Sequence, residues 1–324
     1  MKQETLQIIA AEANLAPSVH NTQPTRWHLD GIGDLHLSLL PERLLKVGDP
    51  NGQDARLSGG AALQGTIYAL ARQGFGVRGA DFEGNSALLK IGSEPKAAPN
   101  IETLHRRTTY RGKFAQTTAN ELKLLKDICA QRKDATLAAG QIIKAEFAEL
   151  NDSVSLEIMR NAFFRSELLN WMRFSKKDPN WSLDGLSADA LEMNAFEATI
   201  ARYVLRRPVF EALDRMALGK LIISEETKTL SAAGLVAFHR PQEEDRWLSG
   251  MHFYSFWISL TNAGFAVWPM AALADDPAAN KHVCERLGLP LEDALVTVLR
   301  VGRHPGRFQP AKARLSANNL IIKV

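Results

Sequence analysis

The sequence has few cysteines and no excess of charge of either sign. Cys129 and Cys284 are its two cysteines, and no C-x-x-C motif is present, so a disulfide scaffold, a zinc ribbon and a thioredoxin-like redox pair are unsupported. Lys and Arg number 39 against 36 Asp and Glu, a net charge of +3 spread along the chain. This balance gives no field that favours a nucleic-acid partner, and the cysteine usage indicates a reducing, cytoplasmic setting.

Long uninterrupted hydrophobic runs are also missing. The opening segment MKQETLQIIAAEANLAP mixes polar and apolar residues at helical spacing, which is not the pattern of a secretory signal. Residues 253–274 carry no charge over a length that could span a bilayer, but Ser, Thr, Asn, Gly and Pro interrupt the run. We therefore expect a buried core helix that runs into a strand, and no membrane partner.

Motifs of the commonest hydrolases, NTPases and metalloenzymes do not occur. The chain has no G-x-S-x-G elbow, no Walker lysine loop and no H-E-x-x-H, and its eight histidines form no cluster with carboxylates, so we predict no metal site. Residues 74–79, GFGVRG, have the spacing of a dinucleotide fingerprint. They follow a predicted helix and lead into a turn, whereas that fingerprint needs a strand before it and a helix after it, so we interpret them as a helix end.

What is present is one rough plan of helices and strands that occurs twice. In the first half we predict helices at 4–14 and 54–73 and strands at 27–29, 35–40 and 87–91. In the second half we predict helices at 119–131, 141–174 and 245–263 and strands at 220–223, 234–239 and 294–301. A Pro-rich polar stretch at 92–100 marks the boundary between them, which divides the 324 residues into 1–97 and 98–324. The prediction is an α+β fold of two pseudo-repeated halves, each with a sheet flanked by helices.

Three polar or basic segments are candidates for a binding site. In APSVHNTQP, residues 16–24, two prolines enclose polar side chains, so this rigid loop suits a planar, heteroatom-rich ring; a helix stop and turn is the alternative. In HRRTTYRGKF, residues 105–114, guanidinium and hydroxyl groups can bind a phosphate; a solvated basic turn is the alternative. Lys312 and Arg314 project on one side of an extended segment, a pattern that indicates little alone.

Together the three segments resemble the flavin-binding nitroreductase family, and specifically a longer branch with two nitroreductase-like halves in one chain. The resemblance covers most of the 324 residues. APSVHNTQP is similar to the family's loop that reaches the flavin, except that Thr25 stands where Trp is usual. RRTTYRGKF is similar to its RRS/T element, which implies that Arg106 binds the flavin phosphate, that Thr108 supplies a hydroxyl, and that Tyr110 or Arg111 lies near N1 and O2 of the ring.

Two later segments extend the resemblance. Lys312 and Arg314 match a closing K-x-R element that also binds the phosphate, and residues 264–272 resemble the stretch that lies along the flavin edge carrying N5. Ala271 stands where an acidic residue is often found. The cofactor-binding residues that the resemblance implies are Pro17, Ser18, Asn21, Gln23, Arg106, Arg107, Thr108, Arg111, Pro269, Met270, Ala271, Lys312 and Arg314.

The function that the resemblance implies is an FMN-dependent NAD(P)H oxidoreductase. It would reduce nitroaromatics, quinones or a related small-molecule acceptor by ping-pong hydride transfer, with no catalytic side chain, because the flavin performs the redox chemistry. Two alternatives stay open: a flavin-sequestering stress protein without turnover, and other flavin chemistry on this fold, such as dehalogenation or flavin fragmentation.

The resemblance also bears on assembly and on access to the flavin. One flavin site per chain is expected, so a monomer suffices and a dimer is possible. In the second half, a helical insertion is expected to act as a lid. Its aromatic residues could cover the flavin face or pack in the core, and they are Phe163, Phe164, Trp171 and Phe174.

Overall fold

Helices and strands are interspersed along residues 1–306 and 313–322, the part of the chain that the computed structural model describes. The helices are α1 Gln3–Ala13, α2 Gln53–Arg72, α3 Ile101–Arg106, α4 Ala119–Ala130, α5 Gln141–Arg160, α6 Ala162–Trp171, α7 Ala195–Val204, α8 Arg207–Arg215, α9 Gly219–Ile223, α10 Glu226–Ser231, α11 Arg246–Asn262, α12 Ala272–Asp275 and α13 Pro277–Leu287. The strands are β1 Thr25–Leu29, β2 Leu35–Leu39, β3 Gly76–Glu83, β4 Ser86–Gly92, β5 Ala135–Ala138, β6 Met172–Arg173, β7 Leu186–Ser187, β8 Gly234–Pro241, β9 Ala266–Met270 and β10 Asp293–Gly302. The predicted α+β class is confirmed.

The first sheet is antiparallel, has the strand order β1-β2-β4-β3 and is built from residues of the first predicted half. Leu35, Leu37 and Leu39 of β2 are buried at alternate positions, because successive side chains of a strand point to opposite faces of the sheet. On the covered face they share a core with Ile9 of α1 and Leu63 of α2.

The second sheet, β5-β8-β10-β9, is also antiparallel and is covered on both faces. Leu235 of β8 packs in one core with Phe147 of α5, while its neighbour Val236 packs in another with Phe256 of α11. Successive side chains of β8 point into different cores on the two faces of the sheet, which explains why most residues of this strand are apolar and buried.

Helix α2 packs on the first sheet and helix α11 packs on the second, and the backbones of these two helices contact each other directly. A Cβ atom placed on Gly60 would lie 2.0 Å from the carbonyl oxygen of Trp247, and one on Gly250 would lie 2.2 Å from that of Leu57. Glycine at both positions therefore lets the helix axes approach closely. Each sheet lies within one predicted half, whereas the division of the chain into domains 1–97 and 98–324 stays a prediction.

Residues 253–274 form the end of α11 and then strand β9, as the sequence predicts. Within the described part of the chain, no helix combines the length and the apolar character that a membrane crossing requires.

Two elements predicted from the sequence are wrong. Residues 141–174 do not form one helix, because the backbone of Asn161 leaves the helical region at ψ 110° and its side-chain oxygen accepts hydrogen bonds from the N–H groups of Phe163 and Phe164. This cap starts a second helix, α6. Residues 220–223 form helix α9 rather than a strand, and a short apolar run of this kind does not distinguish the two by periodicity.

The glycine-rich segment at residues 74–79 follows α2 and leads into strand β3 rather than only into a turn. Gly74 has φ +81°, which ends the helix. A helix before the glycines and a strand after them is the reverse of a dinucleotide-binding arrangement.

Candidate functional site

Two adjoining cavities lie between the polar loop at residues 16–24 and the second sheet. The smaller has a volume of about 70 Å³ and the larger about 320 Å³. Their shared lining residues come from the polar loop, from the segment after α3 and from β7, and are Pro17, Ser18, Thr109, Arg111 and Leu186. Because these residues border both spaces, one elongated ligand could occupy the two cavities together.

The smaller cavity is strongly basic. It is lined by the side chains of Arg107, Arg111 and Arg314, with the hydroxyl residue Thr108 beside them. Among the described residues, no carboxylate lies within ion-pair distance of any of these three guanidinium groups. The charge of Arg107 disfavours the cation of Arg314, whereas Glu225 and Glu192 favour the cation of Arg111. An anionic ligand would therefore stabilise the Arg107 and Arg314 pair.

The hydrogen bonds of these arginines leave donors free. Arg107 donates to the carbonyl oxygen of Leu15 at 3.1 Å, and Arg314 donates to Asn21 Oδ1 at 2.8 Å. The Nε atoms of Arg107 and Arg314 are buried, and no hydrogen-bond partner for either is found among the described residues. A buried donor without a partner costs on the order of 1–3 kcal/mol, which an anion in the cavity would offset.

Burial acts on the charge of all three arginines. It lowers the pKa of Arg314 to about 9, with the nearby charge of Arg107 as the second cause, and it lowers the pKa of Arg111 to about 10. The pKa of Arg107 is also lowered by burial. Both pKa values remain above 7, so Arg111 and Arg314 are cations at neutral pH.

The larger cavity has mainly apolar walls. Ala61 of α2, Trp257 of α11 and Trp268 and Pro269 of β9 line it. The guanidinium of Arg107, which lines the smaller cavity, lies 4.9 Å from the centre of the ring of Trp257, which lines the larger one. A cation–π contact therefore connects the linings of the two cavities. The indole N–H of Trp257 is buried without a partner. A flat ligand with an apolar body and a few acceptors fits such walls.

The polar loop has an unusual backbone that the rest of the chain holds in place. His20, Asn21 and Gln23 have φ values of +45°, +55° and +49°, in the left-handed region that side chains other than glycine rarely adopt. The side-chain oxygen of Gln23 accepts hydrogen bonds from Asn14 Nδ2 at 2.7 Å and from the backbone N–H of Leu315 at 2.9 Å. Contacts from two distant parts of the chain therefore fix the loop that borders both cavities.

Besides Arg111, the titratable side chains of His20 and Asp54 line the larger cavity. Burial, assisted by the charge of Arg111, lowers the pKa of His20 to about 4, so its imidazole is neutral at pH 7. Burial and the neighbouring Asp49 raise the pKa of Asp54 to about 6. Both groups can therefore form hydrogen bonds to a ligand. In residues 1–306 and 313–322, no group of three or more His, Cys, Asp or Glu is placed to hold a metal ion.

Most of the side chains predicted to bind a cofactor come together at the cavities. The predicted residues that line them are Pro17, Ser18, Asn21, Arg107, Thr108, Arg111, Pro269, Ala271 and Arg314. Motifs far apart in the sequence thus converge in space.

Three predicted residues that the structure describes line neither cavity. Arg106 is exposed, and its Nη2 donates to Thr103 Oγ1 at 3.3 Å. The amide of Gln23 is used in bonds within the protein, and Met270 is buried in the core that covers the second sheet. Lys312 lies outside the described residues. Arg107 rather than Arg106 lines the basic cavity, because α3 ends at Arg106 and the backbone is extended at Arg107. Phosphate binding by either arginine stays a prediction.

Several lining residues were not predicted. Leu186 and Ser187 of β7 belong to a segment whose position depends on Asp184, which accepts hydrogen bonds from Arg43 at 3.1 Å and from Arg173 at 2.7 Å. The signal available in the sequence was the Asp-Gly turn before β7. Trp257 carries no such signal, because it belongs to an apolar run typical of a core helix. Trp268 lies within residues 264–272, the stretch already expected along the flavin edge.

The four aromatic residues considered for a lid line neither cavity. Phe163 is 78% exposed, and Trp171 lies 5.9 Å from the guanidinium carbons of both Arg43 and Arg173. Phe164 and Phe174 pack against a small core at the far side of α6. A lid function of this helical region stays a prediction.

Comparison with known proteins gives one local sequence relationship. Two Mycobacterium tuberculosis proteins from different strains, each provisionally named an NAD(P)H nitroreductase, are 40% identical to this chain over 72 residues. That segment is 22% of this chain and spans only 21% of the length of these relatives. The sequence matches no protein-family model.

Solved structures of nitroreductases give weaker likenesses. An FMN-dependent nitroreductase from Mycobacterium smegmatis, in complex with NADPH, is 13% identical with a TM-score of 0.34, over 68% of this chain and 90% of that one. A nitroreductase with bound FMN from Bacteroides fragilis is 16% identical with a TM-score of 0.33, over 64% of this chain and 90% of that one. At these values neither likeness assigns a cofactor or an activity to this chain. Over this 72-residue segment the chain is similar to proteins named NAD(P)H nitroreductases, the family that its motifs resemble, and a place in a two-halved branch stays a prediction.

Proposed function

We propose that this protein is an FMN-dependent NAD(P)H oxidoreductase of the nitroreductase type. The observation that carries the proposal is the joined pair of cavities, one basic and small, the other apolar and larger. FMN has the matching division into a phosphate and a flat ring system. The 40% identity to proteins named NAD(P)H nitroreductases supports the same assignment.

The residues present fit the cofactor at both ends. Arg107 and Arg314 would bind the phosphate, because each has a buried Nε without a partner, and Thr108 would add a hydroxyl. Arg111 borders both cavities, so its charge would lie between the phosphate and the ring system. A cation there would stabilise negative charge on the reduced ring.

The larger cavity would be the place of reaction. Bound FMN would supply hydride exchange between NAD(P)H and a nitroaromatic, a quinone or a related acceptor. The chain itself would orient the reactants and exclude water through Pro17, Trp257 and Trp268. Donor and acceptor would use this cavity in turn, which is the basis of the ping-pong scheme.

Flavin binding tests the proposal directly. We expect the full-length protein to bind FMN at least about 10-fold more tightly than riboflavin, because charge-assisted hydrogen bonds to phosphate contribute roughly 1.5–3 kcal/mol each. Quenching of flavin fluorescence during titration measures both dissociation constants. Anaerobic NADPH should then bleach the bound FMN.

Two results would contradict parts of this proposal. Equal affinity for FMN and riboflavin would remove the phosphate assignment. FMN that binds tightly but stays oxidised under excess NADPH and NADH would favour the flavin-sequestering alternative.

A further inference from the structure

A third cavity lies beside the helical region of the second half. Its volume is about 580 Å³, and it is bordered by the end of α6, by the segment after β6 and by the junction between α7 and α8. Cationic side chains line it from two directions: Lys177 from the segment after β6, and Arg202 and Arg206 from the α7–α8 junction. The volume lies within the range of roughly 300–1,000 Å³ of small-molecule sites.

These cations are available to a ligand. Among the described residues, neither Lys177 nor Arg202 has an ion-pair partner, and Arg206 contacts only the ring of Tyr203, 5.2 Å from its guanidinium carbon. The acidic lining residue is Asp178, which is directed toward Arg173 at 3.8 Å. The cavity therefore has an excess of positive charge, which favours an anion.

The remaining walls suit a nucleoside rather than a bare anion. Leu169, Met172 and Phe174 provide apolar and aromatic surface, on which a purine base can pack. Asn170 and Ser175 provide hydrogen-bonding groups beside that surface. An arginine at the cation end can bind a phosphate monoester through two parallel hydrogen bonds.

The position of this cavity relates it to the other two. Met172 of β6 is the register partner of Leu186 of β7, and Leu186 lines both of the cavities described above. The lining of the third cavity and the lining of the other two therefore include residues from two paired strands, β6 and β7. A dinucleotide whose reactive ring lies in the larger cavity has its second nucleoside available to a neighbouring site.

We propose that this third cavity binds the 2′-phosphoadenosine end of NADPH and makes the protein prefer NADPH to NADH. The inference rests on the proposed function, since that function supplies the need for a nicotinamide donor. Arg202 and Arg206 are the specificity-determining residues, because they face the group that NADH lacks.

The experiment titrates the FMN-loaded full-length protein with adenosine 2′,5′-bisphosphate in a calorimeter. We expect Arg202→Gln and Arg206→Gln each to weaken binding about 10-fold, which corresponds to loss of one charge-assisted contact. Arg202→Lys should keep part of the affinity. Arg215→Gln is the matched control, because Arg215 is an exposed arginine of α8 that does not line the cavity. Adenosine 5′-monophosphate should bind more weakly than the bisphosphate.

Steady-state kinetics provide the second readout. Arg202→Gln should raise the KM for NADPH about 10-fold and leave the KM for NADH and both kcat values unchanged. Binding of the bisphosphate that survives both cavity variants but is lost in Arg107→Gln would place it in the basic cavity and overturn the inference, as would no binding at all. A protein that holds no FMN would refute the proposed function separately, and the same titration on the flavin-free protein would still test the third cavity.

Discussion

Arg106 and Arg107 are adjacent in the chain, but their guanidinium groups have different surroundings. Arg106 ends α3 and is exposed, whereas Arg107 is 4% exposed, lies against Trp257 and lines the basic cavity. We predict that Arg107→Gln weakens FMN binding by roughly 10- to 100-fold, because it removes one charge-assisted contact to the phosphate. Arg106→Gln is the matched control and should change the dissociation constant less than about twofold.

Riboflavin separates a lost phosphate contact from a damaged fold. Its affinity should be the same in Arg107→Gln and in the unmodified protein, since riboflavin has no phosphate, and circular dichroism should show the same helix content. A larger effect at Arg106 than at Arg107 would restore the assignment that the sequence motif suggested.

The sequence indicated this segment as a site but did not show which of its two adjacent arginines would line the cavity. The motif places two arginines before Thr108, and their side chains diverge because the backbone changes from helical at Arg106 to extended at Arg107. That change depends on where α3 stops, and helix boundaries are the least certain part of a sequence-based assignment. Trp257 was not predicted as a lining residue for another reason. Which side of α11 borders the cavity depends on how this helix packs, and the sequence around Trp257 does not specify that packing.

At the scale of elements, contact between α2 and α11 is the feature most sensitive to a single methyl group. In an exposed helix Gly→Ala gains up to about 1 kcal/mol, but at Gly60 the new Cβ would lie 2.0 Å from the carbonyl oxygen of Trp247. We predict that Gly60→Ala lowers the free energy of unfolding by about 1–3 kcal/mol or more, the usual cost of overpacking. Urea denaturation followed by circular dichroism measures the change.

Gly31→Ala is the control for this substitution. Its Cβ would have no atom within 4 Å, and the free energy of unfolding should change by less than about 0.5 kcal/mol. If Gly60→Ala stabilised the protein as helix propensity alone predicts, the close packing of α2 on α11 would be wrong.

Most elements with strong periodicity could be predicted from the sequence. The expected helices at 54–73 and 245–263 agree with α2 and α11 to within one residue at each end, and the strand at 294–301 agrees with β10. The break at Asn161 could not be predicted by periodicity, since apolar spacing continues across it while the cap depends on one side-chain oxygen.

At the scale of the whole molecule, the candidate site is shared between the two predicted halves. Pro17 and Ser18 come from the first half, while Arg107, Arg111 and Arg314 come from the second. The halves contribute different residue types, because the rigid loop comes from one and the clustered cations from the other. Two equivalent sites related by symmetry would need both sets in each half.

We predict one FMN per chain, with a monomer sufficient to bind it. Native mass spectrometry of the full-length protein should show the mass of one chain plus one FMN, and the ratio should persist on dilution. Arg107→Gln should reduce the FMN-bound fraction at a fixed concentration near the dissociation constant, because it removes one of the contacts that we assign to the phosphate. Two FMN per chain, or one FMN retained at full affinity in Arg107→Gln, would show that a second site exists elsewhere in the molecule. A dimer that still carries one FMN per chain would agree with the prediction, since an additional interface between chains leaves this site unchanged.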